Sequence, residues 1–349
     1  MCEHVFVRWN RQTVAADELG RLPGHAGTAV IRRFDAPEAL ETRFYEVRAK
    51  SALNRVPPRS RVPFPWTVNP YRGCSHACVY CFARPTHEYL DFDAGRDFER
   101  EIVVKVNVPE VLRGELARPS WKREHVAMGT NTDPYQWVEG RYGLMRGIWE
   151  VLRDAANPCS ILTKSPLLLR DLDLMREVAA RTEISACLSV PTLDEKAWRA
   201  SEPHTPHPRA RLEAVGELNR AGIPTGILIA PLMPGINDAP GQIERIIELA
   251  TEAGAVSIGG QTLFLRGSVR EIFFDWLRTY RPELVPRYER LYAEGAYVPA
   301  RERRAIERAA GMPPSRLRAD RDRFTRRGAP SGPPVAAPTV KGVPQARLF

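Results

Sequence analysis

Three cysteines fall within eight residues, at Cys74, Cys78 and Cys81, inside the stretch Asn69-Pro70-Tyr71-Arg72-Gly73-Cys74-Ser75-His76-Ala77-Cys78-Val79-Tyr80-Cys81-Phe82. Their spacing is C-x3-C-x2-C. Pairing into a disulfide leaves one thiol over, so a structural bridge accounts poorly for the group. Soft thiolates select zinc, copper(I) or iron–sulfur clusters, and short spacings within one loop are how such centres are gripped. A closed zinc site takes four ligands, and only His76 or a distant cysteine could supply the fourth. Three thiolates on a four-iron cluster would instead leave one iron open to a further ligand, which is what a catalyst needs.

A loop of this kind needs a rigid frame. Gly73 permits the tight turn into it. From Trp66 onward, short apolar runs rich in β-branched residues alternate with longer amphipathic segments, the pattern of βα units and a parallel sheet. The pattern predicts strands over residues 66–70, 126–130, 160–164, 184–190, 225–231 and 256–263, with 102–106 as an edge strand or an insert. It predicts helices over 143–154, 166–181, 208–222 and 240–254, with Asn237-Asp238 as the N-cap of the last. Six such repeats with right-handed crossovers either divide their helices between two faces or curl into a barrel. Composition does not choose between them.

At 349 residues the chain has room for one large α/β domain with extensions, and its 43% hydrophobic content suits a sizeable core. No apolar run approaches the roughly 18 residues of a membrane span. The first residues carry charges and Trp9 where a signal peptide keeps an apolar core. Six cysteines in a chain of this size make no disulfide framework, so the cytoplasm is the expected compartment. The division predicted is an N-terminal extension (1–60, with a helix near 36–45), a core barrel (61–300), a basic segment (301–327) and a disordered tail (328–349) too poor in core-forming residues to fold.

The net charge is +9, and ten Arg against four Asp or Glu between Arg301 and Arg327 contribute +6 of it. Such a block is either a solvated helical surface or a face for nucleic-acid phosphates.

The C-x3-C-x2-C motif with Tyr80 before its last cysteine resembles the signature of radical S-adenosylmethionine (SAM) enzymes. The flanks NPYRGCSHACVYCFAR and TDPYQ resemble the subgroup that includes spore photoproduct lyase. The resemblance implies a partial (βα)6 radical SAM barrel with chemistry at the carboxyl ends of the strands. It implies a [4Fe-4S] cluster held by Cys74, Cys78 and Cys81, SAM bound at the open iron, and a one-electron reductant as partner. Within that subgroup, spore photoproduct lyase uses a cysteine just past the second strand to donate hydrogen to the product radical. Here the matching position is Thr130, and no cysteine lies between Phe82 and Pro158. Identical chemistry is therefore not expected.

SAM carries a zwitterionic methionine end, ribose hydroxyls and a flat adenine, so its pocket needs a cation, hydroxyls and apolar walls. The candidates are Tyr80, whose ring lies beside the cluster; Thr132 and Asp133 in the polar run Gly129–Gln136; Lys164, to neutralise the SAM carboxylate; Ser189; and Ala230, in the run that walls the adenine. Cys159 and Cys187 read as small buried hydrophobes. His204 and His207 lie on the same side of the barrel. The C-terminal Gln345-Ala346-Arg347-Leu348-Phe349 resembles the Q-x-x-L-F peptide that docks on the DNA polymerase sliding clamp.

These features favour a radical SAM enzyme acting on nucleic acid, in repair or base modification. The alternatives are a radical SAM enzyme acting on a protein or small molecule, and a non-catalytic metal-binding adaptor.

Overall fold

The computed structural model describes residues 14–24, 28–34, 41–57, 60 and 62–312. The segment 313–327 of the basic block, the tail and the Gln345–Phe349 peptide lie outside them.

Six parallel strands form the frame: β5 (Trp66–Val68), β8 (Val126–Met128), β9 (Cys159–Thr163), β10 (Ile184–Ser189), β11 (Thr225–Leu232) and β12 (Ile258–Thr262). They stand side by side in chain order, and β4 (Leu53–Arg55) adds an antiparallel edge next to β5. Sequential order with right-handed crossovers puts every connecting helix on one face. A twisted sheet covered on one face curls, which gives the partial barrel. The helices Leu144–Asp154, Leu172–Ala179, Pro208–Arg220 and Pro240–Glu252 supply that cover. Their apolar residues, among them Trp149, Met175, Val215 and Ile246, join Val126, Ile161, Leu188 and Ile229 of the strands in one core.

A second sheet was not legible in the sequence. β1 (Val14–Arg21), β2 (Thr28–Phe34) and β3 (Arg43–Val47) run on through β7 (Glu101–Lys105) to β6 (Tyr71–Arg72). The N-terminal residues thus share a sheet with the strand that leads into the cysteine loop. The helix expected near 36–45 gives way, from Arg43 onward, to β3, whose Phe44 and Tyr45 are both buried. Residues 102–106 are an inner strand here, flanked by β3 and β6, and not an edge.

Two further expectations are corrected. The segment 166–181 splits into a 3-10 turn (Pro166–Asp171) and a helix (Leu172–Ala179). Ala239, not Asn237 or Asp238, is the N-cap of Pro240–Glu252. The Asn237 amide instead ties the preceding turn, accepting from Met233 N at 2.6 Å and donating to Pro191 O and Pro231 O. The Asp238 carboxylate accepts from Gly235 N at 2.6 Å. Among the described residues no helix is long and apolar enough to cross a membrane.

Candidate cofactor site

The cysteine loop leaves β6 at Gly73, whose φ of +83° is a left-handed conformation. A Cβ there would come within 2.9 Å of both Phe98 O and the His87 ring, so no larger residue fits the turn. Cys74 and Cys78 are buried and Cys81 partly so. Short turns tie them together: Ala77 N donates to Cys74 O, and Cys81 N to Cys78 O. Arg84, buried from solvent, buckles the loop from beneath. Its guanidinium donates to Ala77 O, Cys78 O, Ala94 O and Gly95 O and pairs with Glu99.

The segment Thr132–Gln136, after β8, holds the loop from the other side. Thr132 Oγ1 donates to Gly73 O at 2.6 Å. Gln136 accepts from Ser75 N at 2.9 Å and donates to Gly73 O and Thr132 Oγ1. Asp133 accepts from Thr163 Oγ1 at 2.6 Å, Lys164 N at 2.8 Å and Tyr135 N at 2.9 Å, and faces His76 Nδ1 at 3.4 Å. Burial opposes its ionisation, but His76, Thr163 and the Lys164 amide outweigh that and hold its carboxyl below the usual aspartate range. Tyr135 fixes the segment in the core through Asp171 and Trp149, each at 2.8 Å. The two stretches that carried the resemblance, 69–84 and 132–136, are therefore two halves of one clamp. Gly129 brings this end of β8 against β9: a Cβ on it would sit 1.8 Å from Leu162 O.

A second network lies on the next strand ends. Lys164, just past β9, donates from Nζ to Ser189 Oγ at 2.7 Å and pairs with Glu202 Oε1 at 2.8 Å. Ser189 Oγ, at the end of β10, donates to Ala230 O at 3.1 Å. Arg211 Nη2 lies 2.6 Å from Glu202 Oε2, and its Nη1 donates to Ser189 O at 2.8 Å. The Tyr80 hydroxyl donates to Glu202, and its ring lies 5.7 Å from Lys164 Nζ. Burial opposes ionisation of Glu202, yet Arg211 and Lys164 hold its carboxyl down to about 2.

Of the residues singled out in the sequence, Tyr80, Lys164, Ser189 and Ala230 come together in this network. Thr132 and Asp133 do not join it; their side chains grip the cysteine loop. Lys164 is not a lone cation either, because Glu202 faces it. Glu202, Arg211 and Arg84 were missed. Glu202 opens the segment Glu202-Pro203-His204-Thr205-Pro206-His207, where the histidines drew attention. His207 is the N-cap of Pro208–Arg220, its Nδ1 accepting from Arg209 N at 3.2 Å, and His204 packs edge-on against Trp137. Cys159 is buried in the strand–helix core, as expected.

The residues present fit an iron–sulfur cluster. Three thiols share one loop, and beside them the buried Ser75 Oγ and His76 Nε2 have no hydrogen-bond partner among the described residues. No three His, Cys, Asp or Glu side chains among the described residues converge on a point as a single ion requires. Three soft thiolates on one short loop are the donor set that an iron–sulfur cluster takes. Burial raises the Cys78 thiol and takes Cys81 to about 11, so ligation must displace protons.

The profile of the Radical SAM superfamily matches residues 68–250, which run from the end of β5 into the last barrel helix. The chain belongs to the radical SAM superfamily; it is a radical SAM enzyme whose cofactors are a [4Fe-4S] cluster and SAM. An uncharacterized protein of Mycobacterium tuberculosis (strain ATCC 25618 / H37Rv) is 47% identical over 311 residues, covering 88% of this chain and 92% of its own length. Spore photoproduct lyase complexed with dinucleoside spore photoproduct shares the fold at a TM-score of 0.58 and 15% identity, over 81% of this chain and 79% of its own. A mutant of that lyase with bound AdoMet and dinucleoside spore photoproduct superposes equally well, at 0.58 and 16% identity over 80% and 78%.

Proposed function

We propose that Cys74, Cys78 and Cys81 hold the cluster, that Tyr80, Lys164, Ser189 and Ala230 line the SAM pocket, and that the substrate is DNA carrying a damaged or modified base. The observation that carries this reading is the charge on the strand-end network: two cations, Lys164 and Arg211, share one carboxylate, Glu202. The surplus positive charge sits beside the cysteine loop and suits one further anion.

When bound, the cluster and SAM supply the reductive cleavage that yields methionine and a 5′-deoxyadenosyl radical. The chain's own residues bind and orient. Lys164 would hold the SAM carboxylate through an ammonium hydrogen, while Arg211 keeps Glu202 ionised. Tyr80, pinned by its hydroxyl to Glu202, offers the face of its ring to the nucleoside. Ser189 fixes the height of Lys164 over the strand ends. Thr132, Asp133 and Gln136 serve by holding the cysteine loop in register with β8 and β9. Burial of Tyr80, Ser189, Glu202 and Arg211 keeps water from one side of the reactive centre.

DNA as substrate is supported by the net charge of +9 and by the shared fold with a lyase seen holding a dinucleoside photoproduct. Anaerobic turnover on deuterated DNA tests it. Deuterium recovered in 5′-deoxyadenosine supports DNA as the hydrogen source. Unlabelled 5′-deoxyadenosine, with label transferred only from a deuterated protein or small molecule, overturns it.

A further inference from the structure

The barrel sheet is open. β12 and β4 are its two edges, so a gap separates the last parallel strand from the first. Three aromatic rings link the cysteine loop to the segments that follow β12. Phe82 directly follows the third cysteine. Phe264 comes two residues after the carboxyl end of β12, and its ring centroid lies 5.8 Å from that of Phe82. Tyr297 stacks on Phe264 at 5.5 Å and 17°. The ladder is fixed by backbone: Phe264 bridges to Tyr297, and Leu265 N donates to Ala296 O at 2.8 Å. Phe82 is 52% exposed and Tyr297 48%, two large aromatic side chains at the surface beside the cofactor loop.

Three residues after Tyr297 begins the helix Ala300–Ala309. One side of it is anchored on the barrel: Glu307 accepts from Thr262 Oγ1 at 3.1 Å, and Ile306 packs into the core. The other side presents Arg301, Arg304 and Arg308, spaced three and four apart and therefore on one face. All three are exposed, and among the described residues none has an ion-pair partner, whereas Arg303 on the inner side faces Glu307. The stripe runs about 10 Å along the helix axis, enough to follow consecutive backbone phosphates.

We propose that Phe82, Phe264 and Tyr297 form a platform on which unpaired bases of single-stranded or locally opened DNA stack, with the Arg301–Arg304–Arg308 stripe tracking its phosphates. Rings beside a row of guanidinium groups are the general solution for binding single strands, because every base has a π-face and every nucleotide a charge. The platform ends at the residue after Cys81, so a base at its inner end is delivered to the cofactor loop. This inference rests on the DNA reading and specifies the form of DNA the site takes.

The test uses the cluster-loaded full chain and a single-stranded oligodeoxynucleotide containing 2-aminopurine, whose fluorescence falls when the base stacks on a ring. Wild type is expected to quench the probe, and Phe82→Ala with Tyr297→Ala to weaken binding about ten-fold or more and abolish the quench. Tyr297→Phe is expected to retain both, which separates stacking from a lost hydroxyl or a damaged fold. Replacing the three exposed arginines by Gln is expected to reduce the slope of log affinity against log salt by about 2. A wild type that cleaves SAM but binds no DNA overturns the DNA reading and the platform with it. A wild type that binds DNA with the same affinity and quench as the alanine variant overturns the platform alone.

Discussion

Lys164 Nζ lies 2.8 Å from Glu202 Oε1, and Arg211 Nη2 lies 2.6 Å from the opposite oxygen of the same carboxylate. Glu202 and Arg211 are fully buried, so neither charge can be left alone without a large cost. Removing Lys164 leaves a balanced pair; removing Glu202 leaves two like charges facing each other. The two substitutions should therefore fail in different ways. Lys164→Ala is expected to keep its iron and lower SAM affinity about ten-fold or more, measured by equilibrium binding. Glu202→Ala is expected to lose about 3–5 kcal/mol of stability in urea denaturation. Unchanged SAM affinity in Lys164→Ala would remove that lysine from the pocket.

Acid should act on the same network. Arg211 and Lys164 overcome burial to hold Glu202 at about 2, below its ordinary 4.5. A depressed folded pKa contributes stability above the ordinary value and loses it as pH falls towards the folded one, here a contribution of about 3 kcal/mol. In the iron-free chain the stability gap between wild type and Glu202→Gln should shrink as pH drops from about 5 to about 2. A gap that stays constant across that window contradicts the pairing.

Arg84 tests whether the cysteine loop is preorganised. Its guanidinium meets four backbone carbonyls and Glu99, almost wholly out of water. Arg84→Met is expected to strand those acceptors, cost about 3–5 kcal/mol and lower the iron retained after reconstitution. Full iron content at wild-type stability would show that the loop needs no such buckle.

The cysteines divide by position. Cys74, Cys78 and Cys81 share the loop, whereas Cys159 lies in the strand–helix core among Val126, Ile161 and Trp149. Alanine at any of the first three should abolish SAM cleavage. Cys159→Ala should leave iron content and cleavage intact at a stability cost of about 1 kcal/mol. Cleavage surviving in any of the loop variants would contradict the ligand assignment.

The parallel strands were legible because they are short, largely apolar runs between turn residues, as in Ile184–Ser189 and Thr225–Leu232, in which every residue is buried or half-buried. The N-terminal sheet was not, because β1 reads VAADELGR, with charges where an apolar alternation would announce a strand. Its partner lies in β2, where Arg32 pairs with Asp17 across the ladder. In the site, sequence exposed the polar residues but not their partners. Thr132 and Asp133 stand out in the sequence as part of a polar run, yet nothing local says that they reach Gly73 and His76. Glu202 was invisible for the same reason: its partner Tyr80 stands 122 residues away. Only the curling of the sheet into a partial barrel brings them together.

The central claim is that the three loop thiols hold a four-iron cluster with one iron open to SAM. The direct measurement is 5′-deoxyadenosine released when the anaerobically reconstituted chain meets SAM and dithionite, read beside iron and sulfide content. About four irons and four sulfides per chain, with 5′-deoxyadenosine formed in step with SAM loss, is the predicted result. A chain that takes up one zinc, or a cluster held by four protein ligands, and releases no 5′-deoxyadenosine would contradict it.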